Sequence, residues 1–365
     1  MYISMDSGHH RATLAIEKAF HLMRADIDTL NVNSFNYTNP ILEKIINRTY
    51  MGVIRQKPEF WGYLYDNPKI IKNVKKLRES IHKHNASRLK QLIESFDPDA
   101  VICTQAFPCG MVADYKANAN RNLALFGVLT DYAPHSYWIF DKVDGYFVPS
   151  KETGDRLIHN GVLFDKVIES GIPVDPHFKI PKDKSLVLKK LNLSVEKPII
   201  LMMGGSQGHG PLKEAYQSLI KTKTDFQILV ITGKNKSALR WFKRRERNSC
   251  KKLIALPFVN NTDELMEIAT ILISKPGGIT TAEAFVKGVP LCIINPIPGH
   301  ESMNADHLLR NNVAIKIEQP SDTGIIIEEL FYNRDKLTEL SLNAKRFSKP
   351  DSAEIIARHV LNHIK

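Results

Sequence analysis

Short, fully apolar runs alternate with helical patterns along almost the whole chain, and this alternation limits the possible folds more than any other feature. The first series is YISM at 2–5, a helix from about Arg11, AVICT at 100–104, LALFGVLT at 123–130, GYFVPS at 145–150 and KVIESG at 166–171. A Pro- and Lys-rich stretch, PVDPHFKIPKDKS at 173–185, interrupts it. The series then restarts with PIILMMGG at 198–205, QILVITG at 227–233, LIALPFV at 253–259, TILISKPGG at 270–278 and PLCIINPI at 290–297. Strands apolar on both faces and separated by helices belong to parallel sheets covered on each side. Two such series predict two doubly wound α/β halves joined near 173–185. At 365 residues the chain is long enough for each half to bury its own core. The last stretch, 352–365, carries Ile355, Ile356, Val360 and Ile364 at helical spacing and reads as a closing helix.

Several classes drop out at once. Hydrophobic residues make up 43% and charged residues 24%, an ordinary globular balance that argues against a disordered chain. No run approaches the roughly 18 apolar residues that a spanning helix needs, so a chain without a transmembrane helix is expected. The four cysteines, Cys103, Cys109, Cys250 and Cys292, form no CxxC pair and read as free thiols of a reducing compartment. No Cys, His or carboxylate grouping has metal-ligand spacing, and Asp97-Pro98-Asp99 reads as a turn before a buried strand.

The formal charge of +11 calls for an anionic partner. Two patches hold more than that excess: eight Lys or Arg against Glu79 between Lys69 and Lys90, and nine against Glu246 between Lys234 and Lys252. The first lies next to Phe60, Trp61, Tyr63 and Tyr65, with Ile70, Ile71, Val74, Leu77 and Ile81 as an apolar stripe. Amphipathic basic helices with adjacent aromatics bind anionic membrane surfaces, which makes Phe60, Trp61, Lys72, Lys75 and Lys76 candidate docking residues. A core helix with a solvated basic face is the competing reading. No helix-turn-helix, zinc-finger or RNP pattern accompanies the charge, so a nucleic-acid partner is not expected.

The most informative segment is ISKPGGITTAEAFVKGVPLCIINPIPGHESMNADHL, Ile273 to Leu308. A strand ends at Ser274, Gly277 and Gly278 make a close turn, and a helix begins near Thr280, so free N–H groups and the helix dipole suit a diphosphate. Glu283 follows in the first turn or so, where it can accept hydrogen bonds from ribose hydroxyls. After the next strand, the loop through His300, Glu301 and Asn304 crowds hydrogen-bonding side chains onto the same sheet edge. Gly204, Gly205 and Ser206 open another loop there.

This segment resembles the donor site of GT-B glycosyltransferases that use UDP-sugars, in the branch of monogalactosyldiacylglycerol synthases and bacterial diacylglycerol glucosyltransferases, with the peptidoglycan lipid II synthase more distant. The block LTDYAPHSYWIFDKVDGYFVPSKETGDRLIHNGVLFDKVIESGIPVDPHF, 129–178, follows the same branch. The resemblance implies a GT-B α/β fold of two Rossmann-like domains facing a central cleft. Residues 1–172 would form the acceptor and membrane-docking domain and 173–346 the nucleotide-sugar domain, with the closing helix in 347–365 packing back on the first.

It further implies donor contacts from Gly205, Ser206, Phe258, Val259, Gly277, Gly278, Thr280, Thr281, Glu283, His300, Glu301 and Asn304, and acceptor-side roles for Asp131, His135 and Trp138. The Gly8-His9 pair keeps the family's spacing to the helix AIEKAF, which makes His9, rather than His10, the expected general base. The implied reaction is inverting transfer of a hexose from a UDP-sugar to diacylglycerol, giving a β-linked glycolipid at the inner face of the cell membrane, with no essential metal ion or other cofactor. A polyprenyl-linked acceptor is the alternative within enzymes, and a basic nucleic-acid-binding protein the alternative outside them.

Overall fold

The computed structural model describes residues 1–3, 7–34, 37, 87–119, 122–133 and 138–364. The chain divides into two compact units. One comprises Met1–Pro176, Pro298–His300 and Asp351–Lys365, and the other His177–Ile297 and Glu301–Pro350.

The first unit contains α1 (Gly8–Met23), β1 (Ala100–Cys103), α2 (Ala106–Ala119), β2 (Ala124–Val128), β3 (Gly145–Val148), α3 (Lys151–His159) and β4 (Val167–Glu169). Its strands form a parallel sheet in the order β1-β2-β3-β4. The second unit runs α4 (Lys184–Leu191), β5 (Ile199–Met203), α5 (Leu212–Leu219), β6 (Gln227–Ile231), α6 (Lys236–Glu246), β7 (Leu253–Leu256), α7 (Thr262–Ile268), β8 (Ile271–Ser274), α8 (Gly278–Val286), β9 (Leu291–Ile294), α9 (His300–Arg310), β10 (Ala314–Ile317), α10 (Thr323–Tyr332) and α11 (Arg334–Phe347). Then α12 (Ser352–His363) packs on α1 in the first unit.

The second sheet is parallel throughout, in the order β10-β9-β8-β5-β6-β7. Its inner strands IILMM, QILVI and ILIS are buried at every position, as runs apolar on both faces require. Gln227 begins a buried strand because its amide is fully used: Oε1 accepts from Ser194 N–H at 2.7 Å, and Nε2 donates to the Ser194 carbonyl at 2.8 Å. The chain enters at β5, builds outward through β6 to β7, then crosses back to lay β8, β9 and β10 on the other side. The direction therefore reverses between β5 and β8, so the loops leaving their carboxyl ends diverge and open a crevice there.

The YISM run falls partly outside the described residues: Ser4 and Met5 are not described, and Tyr2 and Ile3 form no strand. Met1–Ile3 still makes ladder-like bonds: Tyr2 N–H donates to the Val32 carbonyl at 3.0 Å, Ser34 N–H to the Tyr2 carbonyl at 2.8 Å and Thr104 N–H to the Met1 carbonyl at 3.1 Å. Among the described residues the pairing is a single bridge, Tyr2 to Asn33. The helices also begin earlier than expected. α1 starts at Gly8, capped by Ser7, whose Oγ accepts from His10 N–H at 3.2 Å, and α8 starts at Gly278 rather than near Thr280. β10, with the sequence AIKI, carries a lysine in its apolar run and has no counterpart in the expected series.

Candidate donor site and candidate base

In the first unit, the Met1–Ile3 segment and β1 are neighbours whose chain continuations part, into α1 and α2 respectively. His9 stands at this parting, in the first turn of α1. Its Nδ1 lies 2.8 Å from the Thr104 carbonyl oxygen and 3.0 Å from Thr130 Oγ1. A carbonyl can only accept, so Nδ1 carries the proton and Nε2 keeps its lone pair. The backbone beneath is fixed as firmly: the His9 carbonyl accepts from Thr13 Oγ1 and from Thr104 Oγ1, each at 3.0 Å. Thr13, Thr104 and Thr130 are all buried. Burial holds the imidazole below its usual pKa, while the nearby Asp131 carboxylate and the bond to Thr104 partly oppose it. His9 is thus a neutral, oriented imidazole with its basic nitrogen unused by the described residues. His10 differs, since its ring stacks on Tyr2 at 4.4 Å between centroids.

In the second unit, the candidate donor residues gather around the ends of β5 and β8. Ser274 Oγ donates to the Met203 carbonyl at 3.1 Å and locks the ends of β8 and β5 together. Gly277 then caps α8 in extended conformation with no side-chain bond, so the first N–H groups of the helix have no intrahelical acceptor. A Cβ at Gly277 would meet no protein atom within 4 Å, nor would one at Gly205. Both glycines border open space. Gly208 and Gly233, by contrast, are required by packing: a Cβ at Gly208 would lie 1.8 Å from the Thr232 carbonyl oxygen, and one at Gly233 would lie 2.5 Å from that of Gly205. The 204–210 loop is therefore seated on the loop after β6, and Lys234 N–H donates to the Ser206 carbonyl at 2.9 Å.

Thr280 sits in the first turn of α8, and Thr281 beside it is fully buried with no hydrogen-bond partner for its hydroxyl among the described residues. Glu283, one turn on, is 4% exposed, so it is not the surface glutamate of an ordinary helix. Glu301 and Asn304, on the first turns of α9, are also buried, and both reach back to the loop after β8. Glu301 Oε1 accepts from Lys275 Nζ at 3.0 Å, its Oε2 accepts from Ile297 N–H at 2.8 Å, and Asn304 Nδ2 donates to the Pro276 carbonyl at 3.1 Å. These two side chains clamp the loop after β8 to the loop after β9 and the start of α9. His300 opens α9. Phe258 and Val259, both half-buried, follow β7 at the edge of the sheet, three strands from β8, or about 14 Å at ordinary strand spacing.

A family model described as monogalactosyldiacylglycerol (MGDG) synthase matches residues 9–174, and one described as the glycosyltransferase family 28 C-terminal domain matches 199–360. A processive diacylglycerol beta-glucosyltransferase of Bacillus licheniformis is 31% identical over 332 residues, covering 90% of this chain and 85% of the relative. The chain belongs to this family of GT-B glycosyltransferases. Its fold is shared by Acinetobacter baumannii MurG, with a TM-score of 0.56 at 16% identity over 76% of this chain and 77% of that one. It is also shared by S. aureus MnaA, solved with UDP, with a TM-score of 0.65 at 14% identity over 100% and 96%.

Within the family framework, the remaining expected residues separate by position. Asp131 is half-buried, close enough to act on the His9 charge. Trp138 is 8% exposed and belongs to the hydrophobic core of the first unit, close to Gly127. His135, Phe60, Trp61, Lys72, Lys75 and Lys76 lie outside the described residues. Sequence reading missed Thr13, Thr104, Thr130 and Lys275. The first three contact a histidine up to 121 residues away, and the lysine meets Glu301 across 26.

Proposed function

We propose that this glycosyltransferase moves glucose, the sugar its relatives transfer, from UDP-glucose to the hydroxyl of diacylglycerol with inversion, giving a β-linked glycolipid at the inner face of the cell membrane. The observation that carries this reading is family membership running through both units, because it joins a donor site and an acceptor-side base in one chain. The diphosphate lies over Gly277 and Gly278, against the uncapped amides of α8, and the Gly205-Ser206 turn borders it from β5. The uracil sits by Phe258 and Val259, three strands away, and Glu283 accepts from the ribose hydroxyls. Thr280 and Thr281 line the phosphate end, where the unpaired Thr281 hydroxyl gains a partner.

Sugar hydroxyls meet His300 and Asn304. Glu301 works mainly by holding the loops, since both its oxygens are already engaged by Lys275 and Ile297. On the acceptor side, His9 Nε2 takes the proton of the attacking hydroxyl while Nδ1–H stays on the Thr104 carbonyl. Asp131 stabilises the imidazolium that forms. Attack from the side opposite the leaving UDP inverts the anomeric centre. The charge that grows on UDP is met by the α8 amides and dipole, so the reading assigns no step to a metal ion. Membrane attachment is peripheral, through Phe60, Trp61, Lys72, Lys75 and Lys76. Incubation with UDP-glucose, UDP-galactose or UDP-N-acetylglucosamine and dioleoylglycerol, followed by mass spectrometry, tests the assignment. A hexosyl-diacylglycerol from UDP-glucose is expected, whereas a product from none of the three donors would sink it.

A further inference from the structure

We propose that the outward face of α6 is a second membrane-contact surface, carried by the second unit and binding the anionic headgroups of a bilayer. The proposal rests on the lipid acceptor assigned above, and on the following geometry. Lys236, Arg240, Lys243, Arg244 and Arg247 recur at helical spacing, so at about 100° per residue they fall within roughly a 100° arc, in a row about 16 Å long. All five are exposed, and Lys252, just before β7, is exposed as well.

The opposite face of α6 fixes the rotation of the helix. Ala238 and Phe242 are buried, and Phe242 and Trp241 each meet the Tyr216 ring edge-on, at 5.6 and 5.8 Å. The Arg245 guanidinium lies 3.4 Å from the centre of the Trp241 ring and covers it. The only carboxylate on the helix, Glu246, accepts from Lys243 Nζ at 2.7 Å and from Ala255 N–H, so it is engaged with its own unit. Lys236, Arg240, Arg244, Arg247 and Lys252 have no carboxylate partner among the described residues.

A row of exposed cations, four of the five without a carboxylate partner among the described residues, on a protein whose acceptor lies in a bilayer, matches an anionic leaflet in charge. Nucleic acid is less favoured. Recognition of single strands needs exposed aromatic faces for base stacking, and here the tryptophan ring is covered by arginine.

The test compares the full-length protein with a K236Q/R240Q/R244Q/R247Q variant in cosedimentation with phosphatidylcholine vesicles, with and without phosphatidylglycerol. UDP affinity of both proteins is measured alongside. The parent should bind the phosphatidylglycerol vesicles more tightly, increasingly so at low salt, and the variant should lose at least about tenfold in partitioning with unchanged UDP affinity. Equal partitioning of parent and variant overturns the proposal. So does a variant that keeps vesicle binding but loses retention on single-stranded RNA. Formation of glucolipid in detergent micelles, assayed on the same preparations, reports the proposed reaction separately: loss of product there counts against the acceptor assignment, and a change confined to vesicles concerns this surface alone.

Discussion

A histidine is useful as a base only if it is neutral and correctly oriented at the working pH, and both conditions at His9 come from neighbours distant in sequence. The Thr104 carbonyl selects the tautomer, and burial depresses the pKa. The imidazole works in its neutral form, which exists above that pKa. The acid limb of kcat/KM should therefore lie below the ordinary histidine value of about 6.5, with activity flat from there to neutral pH. A limb centred above that value would mean that the titrating base is another group. His9→Ala should lower kcat by about 10² to 10⁴ while UDP affinity is kept, and His10→Ala, whose ring stacks on Tyr2, should retain most activity. Glu283→Ala should weaken UDP binding by about ten- to a hundredfold, the equivalent of about 1.5–3 kcal/mol for lost charge-assisted hydrogen bonds. Calorimetry on the folded variant reads this directly, and unchanged affinity would remove Glu283 from the site.

At the scale of elements, the loops after β5 and β8 contain glycines of two kinds, and substitution should separate them. Gly208→Ala drives a Cβ into the Thr232 carbonyl at a φ of +67° and should cost about 3 kcal/mol, seen as a fall in Tm. Gly205→Ala, at a similar φ of +69° but facing open space, should cost only about 1 kcal/mol in stability, yet weaken UDP binding if phosphate uses that space. A Gly205→Ala variant with unaltered UDP affinity would move the phosphates away from this turn. Strands β2, β3, β5, β6, β8 and β9 could be read from the sequence because each is an apolar run buried almost throughout, which leaves few other solutions, while β1, β4 and β7, less evenly buried, are still marked by short β-rich runs. β10 could not, since Lys316 breaks its pattern. The helix starts moved for a local reason: Ser7 supplies a cap and Gly277 an extended hinge that apolar spacing does not register. The clamp of Glu301 on Lys275 and Ile297 was also invisible, because a loop rich in polar residues says nothing about which of them face each other.

For the whole molecule, the account joins two Rossmann-like units with different tasks: one offers an oriented neutral imidazole, the other an uncapped helix start beside a topological switch point. Each arrangement is common alone, and the proposed transfer reaction uses both. The reaction has a stereochemical signature that does not depend on any single residue assignment. UDP-glucose carries an α-linked sugar, so direct displacement by a lipid hydroxyl activated at His9 must deliver the β-anomer. The most direct measurement is the anomeric configuration of the glycolipid made by the purified protein from UDP-glucose and diacylglycerol, read from the NMR coupling of the anomeric proton. The account predicts a β-glucosyl linkage on the free hydroxyl of diacylglycerol. An α-linked product, or a protein that binds UDP-glucose and yet glycosylates no lipid, would contradict it.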